Sequence, residues 1–123
     1  MPYQLHIEPE GVRINWCGHV RGQDMIRFLA HIHGHEAFDG LRYKLHDFSA
    51  CTGLSFASEE IEEIAALDAA AAYTNPRIRI AIVSGHPRVA RGIAHYAQLG
   101  LSPFAIRQFA SIHNARVWLH KPT

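Results

Sequence analysis

The stretch "RIRIAIVSGHPRVARGIAHYAQLG", residues 77–100, decides the fold. Ile78, Ile80 and Ile82 alternate with Arg79, Ala81 and Val83, the two-residue period of a strand. The later half of the run is apolar on both faces, which predicts a central strand covered on both sides. Ser84 and Gly85 end it, and Pro87 suits the first turn of a helix. In that helix Val89, Ile93 and Tyr96 form the buried stripe, with Arg88, Arg91 and His95 on the opposite one.

Outward toward the C-terminus, "FAIRQFA" (104–110) reads as a last strand. "SIHNARVWL" (111–119) is a short helix with Ser111 as N-cap and Ile112, Ala115 and Trp118 on one face. Toward the N-terminus, the Ala-rich "EEIEEIAALDAAAAY" is a helix capped by Ser58 and stopped by Asn75-Pro76. Before it, "RYKLHDF" is a strand ending near Asp47, followed by a loop, "SACTGLSFA". "GQDMIRFLAHI" has a helical stripe of Met25, Phe28, Leu29 and Ile32, ending at Gly34 as a left-handed cap. "YQLHIE" and "VRINWC" alternate around the turn residues "PEG", an antiparallel hairpin. The order β-β-α-β-α-β-α-β-α predicts one α/β domain over residues 1–123, a mixed, mostly parallel sheet packed with helices.

The composition, 48% hydrophobic and 19% charged over 123 residues, is that of a globular domain. Cys17 and Cys51 form no disulfide framework and suit reduced thiols in a cytoplasmic protein. The N-terminus lacks the pattern of a signal peptide, and no apolar run approaches the roughly 20 residues of a membrane span. All eleven acids lie at or before Asp68, whereas Arg77, Arg79, Arg88, Arg91, Arg107, Arg116 and Lys121 follow it. Either an anionic partner or acidic and basic elements facing each other, within the fold or across a homodimer, accounts for the asymmetry. A net charge of +1 argues against nucleic acid, and Phe109 and Trp118 read as core rather than as stacking platforms.

Two stretches carry candidate chemistry. In "HIHGHE", His31, His33 and His35 would align as metal ligands in an extended loop, but the run lacks the helical H-E-x-x-H pattern. His31 in a last helical turn suits the helix dipole instead, so no metal or other cofactor is assigned. The second stretch is the rim where strands end and a helix begins, the usual ligand position of open α/β sheets. Its residues are Asp47, Ser49, Ser84, Gly85, His86, Arg88 and Arg91. Free N–H groups and positive charge there suit a small anionic or amphipathic ligand. There is no phosphate-binding P-loop and no G-x-S-x-G nucleophile elbow, and no catalytic residue is assigned. The rival reading is a small enzyme, using metal on the histidine run or His86 as base.

The layout resembles a family: a hairpin and helix, "HDFS", "ASEEIEEIAAL", "RIRIAIVSGHPRVARGIAHYAQL" and "FAIRQFASIHNARVWL". This is similar to the short, stand-alone bacterial SpoIIAA-like proteins, grouped with STAS and SEC14-type domains, along nearly the whole chain. The resemblance implies a four- or five-stranded mixed sheet and little about activity; the chain is read as a non-enzymatic binding module. Such a module binds either a protein partner, as anti-sigma-factor antagonists do, or an apolar ligand, as SEC14-type domains do. It also directs attention to a phosphorylated serine at a helix start. The matching segment here is Asp47 followed by "CTGLS", which lacks the serine before glycine and leaves Thr52, Ser55 and Ser58 as candidates.

Overall fold

In the computed structural model, which describes residues 2–122, strands β1 (Tyr3–Ile7) and β2 (Gly11–Arg21) form the expected hairpin. Tyr3 pairs with Trp16 and Ile7 with Val12. Helix α1 (Gly22–His33), a single 3-10 turn (Phe38–Gly40), strand β3 (Tyr43–Ser55) and helix α2 (Ser58–Ala71) follow. Strand β4 (Arg79–Val83), helix α3 (Pro87–Leu99), strand β5 (Ala105–Phe109) and helix α4 (Ile112–Leu119) complete the chain. The five strands lie in sequential order, parallel except for the hairpin. The expected mixed, mostly parallel α/β sheet is therefore present.

The strand period of two sorts the side chains into two layers. Val12, Ile14 and Trp16 of β2 and Ile80 and Ile82 of β4 join Phe28, Leu29 and Ile32 of α1 in the larger core. Ile64 and Leu67 of α2 and Val89 and Ile93 of α3 close over it. On the opposite face Tyr43, Leu45, Ala81 and Val83 meet Ala115 and Leu119 of α4. Strand β4 is thus covered on both sides. Gly11 makes the second layer possible, because a Cβ there would lie 2.4 Å from the ring of Tyr43, its cross-strand partner.

Three local expectations need correction. "SACTGLS" is not a loop but the second half of β3, pairing with Cys17–Arg21 of β2. Its Ala, Gly and Ser have weak strand propensity, and the long neighbouring strand supplies the pairing that overrides it. Two register shifts accommodate the extra residues, the second beside Gly18, whose φ of 68° is available to glycine without strain. Second, Ala57 rather than Ser58 caps α2, its N–H donating to Glu60 Oε1 at 2.9 Å. Third, Gly34 ends α1 at φ −94°, in the right-handed region, and Gly100 supplies the left-handed cap, for α3, at φ 62°. Ser111 caps α4 as expected, its Oγ accepting from Asn114 N at 3.2 Å.

The two ends of the chain are clamped by Glu8. Its carboxylate accepts from Arg116 Nη1 at 3.0 Å and Nη2 at 2.8 Å, with Tyr43 OH donating to the same group. Arg13 Nε lies 3.6 Å away. Hydrogen bonding from Arg116 outweighs the opposing effect of burial and holds the Glu8 pKa at about 2, below its usual 4.5. A carboxyl so lowered stabilises the fold fully above its unfolded pKa, and that contribution fades as pH falls from about 4.5 toward about 2. Glu8→Gln is expected to cost about 1–2 kcal/mol at neutral pH, discounted for partial exposure. It should also flatten the acid limb of the stability curve between those pH values. Urea melts at pH 7 and pH 3 check both effects.

Candidate functional site

Lys44 and His46 occupy alternate positions of β3 and so face the larger core, where a strand normally places apolar side chains. Lys44 is fully buried and ion-paired, its Nζ 3.2 Å from Asp68 Oδ1. Asp68 sits on the buried stripe of α2 with Ala65 and Ala71. Tyr96 of α3 donates its hydroxyl to Asp68 Oδ2 at 2.7 Å. His33, at the end of α1, accepts from Lys44 Nζ at 2.7 Å through Nε2. The network therefore ties β3 to all three helices of this layer. Burial pushes the Asp68 carboxyl up, but the charge of Lys44, with smaller effects of the neighbouring His33 and Tyr96, outweighs it and keeps it below the usual range.

Beside this network lies a cavity of about 590 Å³ between the sheet and helices α1, α2 and α3. The volume is that of a site for a small organic molecule. Its apolar wall includes Met25, Leu29, Ile64, Ile80, Ile82 and Ile106. Lys44, His46, Asp68, His95 and Tyr96 supply polar groups, and the exposed Arg88 and Arg91 stand at its open side. Three cations against the single carboxylate of Asp68 give the lining a positive balance. Arg88 Nη1 donates to Leu54 O at 3.1 Å, and neither Arg88 nor Arg91 is ion-paired among the described residues.

Of the seven rim residues read from the sequence, Arg88 and Arg91 line this cavity. Ser84, Gly85 and His86 follow the carboxyl end of β4, whereas Asp47, expected to end its strand, and Ser49 lie within β3, which continues to Ser55; Asp47 pairs with Val83 just before Ser84. There the polar groups serve the backbone. Asp47 Oδ1 accepts from Ser49 N at 2.9 Å, Ser84 Oγ from His86 N at 3.1 Å, and His86 Nδ1 from Arg88 N at 3.1 Å. The last bond caps α3, so one helix-start donor expected for an anion already has a partner.

The histidine run is divided. His33 turns inward to Lys44, while His31 and His35 face each other with ring centroids 6.0 Å apart. His35 Nδ1 also accepts from Ala37 N at 3.0 Å. No group of three or more His, Cys, Asp or Glu side chains placed to hold a metal occurs among the described residues. Burial, with smaller effects of Cys17 and Asp47, pushes the Cys51 thiol up to about 11, which disfavours a thiolate at neutral pH. Thr52 is exposed within β3, Ser55 ends that strand 2.8 Å from His19 Nε2, and Ser58 is the first residue of α2. The segment matched to the phosphorylated helix start is therefore strand, and only Ser58 stands at a helix start.

Sequence reasoning missed Lys44, His46, Asp68, His95 and Tyr96 as one group. Two signals were available: a lysine on the inward alternation of "RYKLHDF", and an aspartate on the apolar stripe of α2. Removing one member of a buried ion pair leaves the other charge unpaired. Asp68→Ala is expected to cost about 3–5 kcal/mol, whereas Lys44→Met with Asp68→Leu recovers most of the loss. Chemical denaturation of the single and double variants checks this.

No protein-family model matches the sequence, and no curated protein does. Solved structures match the fold. The anti-sigma factor antagonist SpoIIAA in its unphosphorylated form superposes with a TM-score of 0.55 at 12% identity, covering 94% of each chain. The phosphorylated form of the Bacillus cell fate determinant SpoIIAA gives 0.54 at 15% identity, over 96% of this chain and 99% of that one. A DUF3478-family protein of Shewanella loihica PV-4 with a SpoIIAA-like fold gives 0.53 at 18% identity, over 95% and 91%. At these identities the likeness is one of architecture: the chain has a SpoIIAA-like fold.

Proposed function

We propose that this protein is a non-enzymatic binding module that takes a small anionic amphiphile into the cavity beneath α2 and α3. The observation that carries the reading is a 590 Å³ cavity with a largely apolar wall, lined also by the exposed Arg88 and Arg91, neither of which is ion-paired among the described residues. An acyl chain buried against Met25, Leu29, Ile64 and Ile82 loses its hydration, at about 25 cal/mol for each Å² removed from water. The anionic head stays at the entrance, where two guanidinium groups attract it without the cost of burying charge. Ser84 and His86 hold the start of α3, and with it Arg88, in place.

No helix among the described residues is long and apolar enough to cross a membrane. On this reading the protein is a cytoplasmic carrier or regulator, in which ligand occupancy alters the α2–α3 surface available to a protein partner. The regulatory half of the reading is supported by the fold shared with an anti-sigma factor antagonist.

Calorimetric titration with dodecanoate tests the site. Wild-type protein is expected to bind one equivalent, and dodecanol more weakly. The Arg88→Ala, Arg91→Ala double variant should lose about tenfold in affinity for dodecanoate, the effect of about 1.4 kcal/mol, with its unliganded melting temperature little changed. Equal affinity of both proteins for dodecanoate would remove the arginines from the site.

A further inference from the structure

One side chain of the cavity is more constrained than a wall residue needs to be. His46 is 2% exposed and packed among aromatic rings, stacked on Trp16 and Phe48 and meeting Phe28 edge-on. Trp16 Nε1 donates to its Nδ1 at 3.1 Å. An indole nitrogen can only donate, so Nδ1 must be the acceptor and the ring proton must reside on Nε2. Burial, with a smaller effect of Lys44, holds the pKa of His46 at about 3. The ring is therefore neutral at physiological pH, with one defined tautomer. Trp16 is its only hydrogen-bond partner among the described residues, which leaves the Nε2–H donor unused on a ring that lines the cavity.

A second imidazole borders the same space. His95 Nε2 is buried without a hydrogen-bond partner among the described residues, and its ring also lines the cavity. Two nitrogen atoms without a partner among the described residues, beside the apolar wall of the cavity, are costly unless something meets them. A plain hydrocarbon chain meets neither.

We propose that His46 is the specificity-determining residue of the cavity, its Nε2–H donating to an acceptor oxygen carried on the apolar part of the ligand. The preferred ligand class is then an oxygenated acyl chain, a carboxylate amphiphile with a carbonyl or hydroxyl along its length, rather than a simple fatty acid. The inference rests on the cavity reading of the preceding subsection.

A panel of twelve-carbon oxo-carboxylates, with the carbonyl at successive positions, titrated against dodecanoate, tests it. At least one isomer is expected to bind wild-type protein about tenfold more tightly than dodecanoate, the worth of one added hydrogen bond. His46→Phe keeps an aromatic ring and removes the donor, so the favoured isomer should lose its advantage and bind no more tightly than dodecanoate. This ratio does not depend on the fraction of the variant that folds. In wild-type protein, imidazole ¹⁵N spectra should show the His46 Nε2–H signal moving with the favoured isomer and not with dodecanoate. If no isomer outperforms dodecanoate, or if the preference survives in His46→Phe, the role of His46 is overturned. Failure of dodecanoate and every isomer to bind would instead overturn the cavity reading beneath it.

Discussion

The ion pair between Lys44 and Asp68 is the constraint around which the helical layer is arranged. A charged pair that far inside is tolerated only when its remaining hydrogen-bonding capacity is met. Here Tyr96 and His33 meet it, at 2.7 Å to Asp68 and to Lys44 respectively. Each contributor comes from a different element, so the pair fixes β3 against α1, α2 and α3 together. An apolar core would tolerate small slides of helices over the sheet. A network of directed bonds does not, and the positions of α2 and α3 relative to β3 follow from it.

That arrangement also explains why an opening exists. Helices α2 and α3 are tied down at Asp68 and Tyr96, while the early part of each, around Ile61 and Val89, borders the cavity rather than filling it. The side chains there are medium-sized aliphatics and a glycine, Gly92, whose missing Cβ would sit 3.7 Å from Ile61 Cδ1. The sheet beneath contributes His46, locked by Trp16. Fold and site thus draw on the same alternation of β3: Tyr43 and Leu45 build the α4 layer, and Lys44, His46 and Phe48 turn to the other side.

Much of this was legible in the sequence. The period of two in "RIRIAIV" and the amphipathic runs around it give the order of elements and the parallel sheet, because burial on one or both faces is written directly into residue alternation. The second half of β3 was not legible. "SACTGLS" has no strand period of its own and is strand because β2 lies beside it. Arg88 and Arg91 were singled out in the sequence because they follow a strand end at the start of a helix, and both line the cavity. The cavity was not, since a sequence shows which faces are apolar but not whether two apolar faces close on one another. His31, His33 and His35 illustrate the same limit, as their spacing says nothing of which ring turns inward to Lys44.

The most direct test of the central claim is a ¹H–¹⁵N correlation spectrum of the protein titrated with dodecanoate. The account predicts saturable shifts concentrated on the inner faces of α2 and α3 and on β3 and β4 around His46 and Ile82. Shifts confined to the strand-end turn around Ser49, Ser84 and His86, or a spectrum unchanged by the ligand, would contradict it.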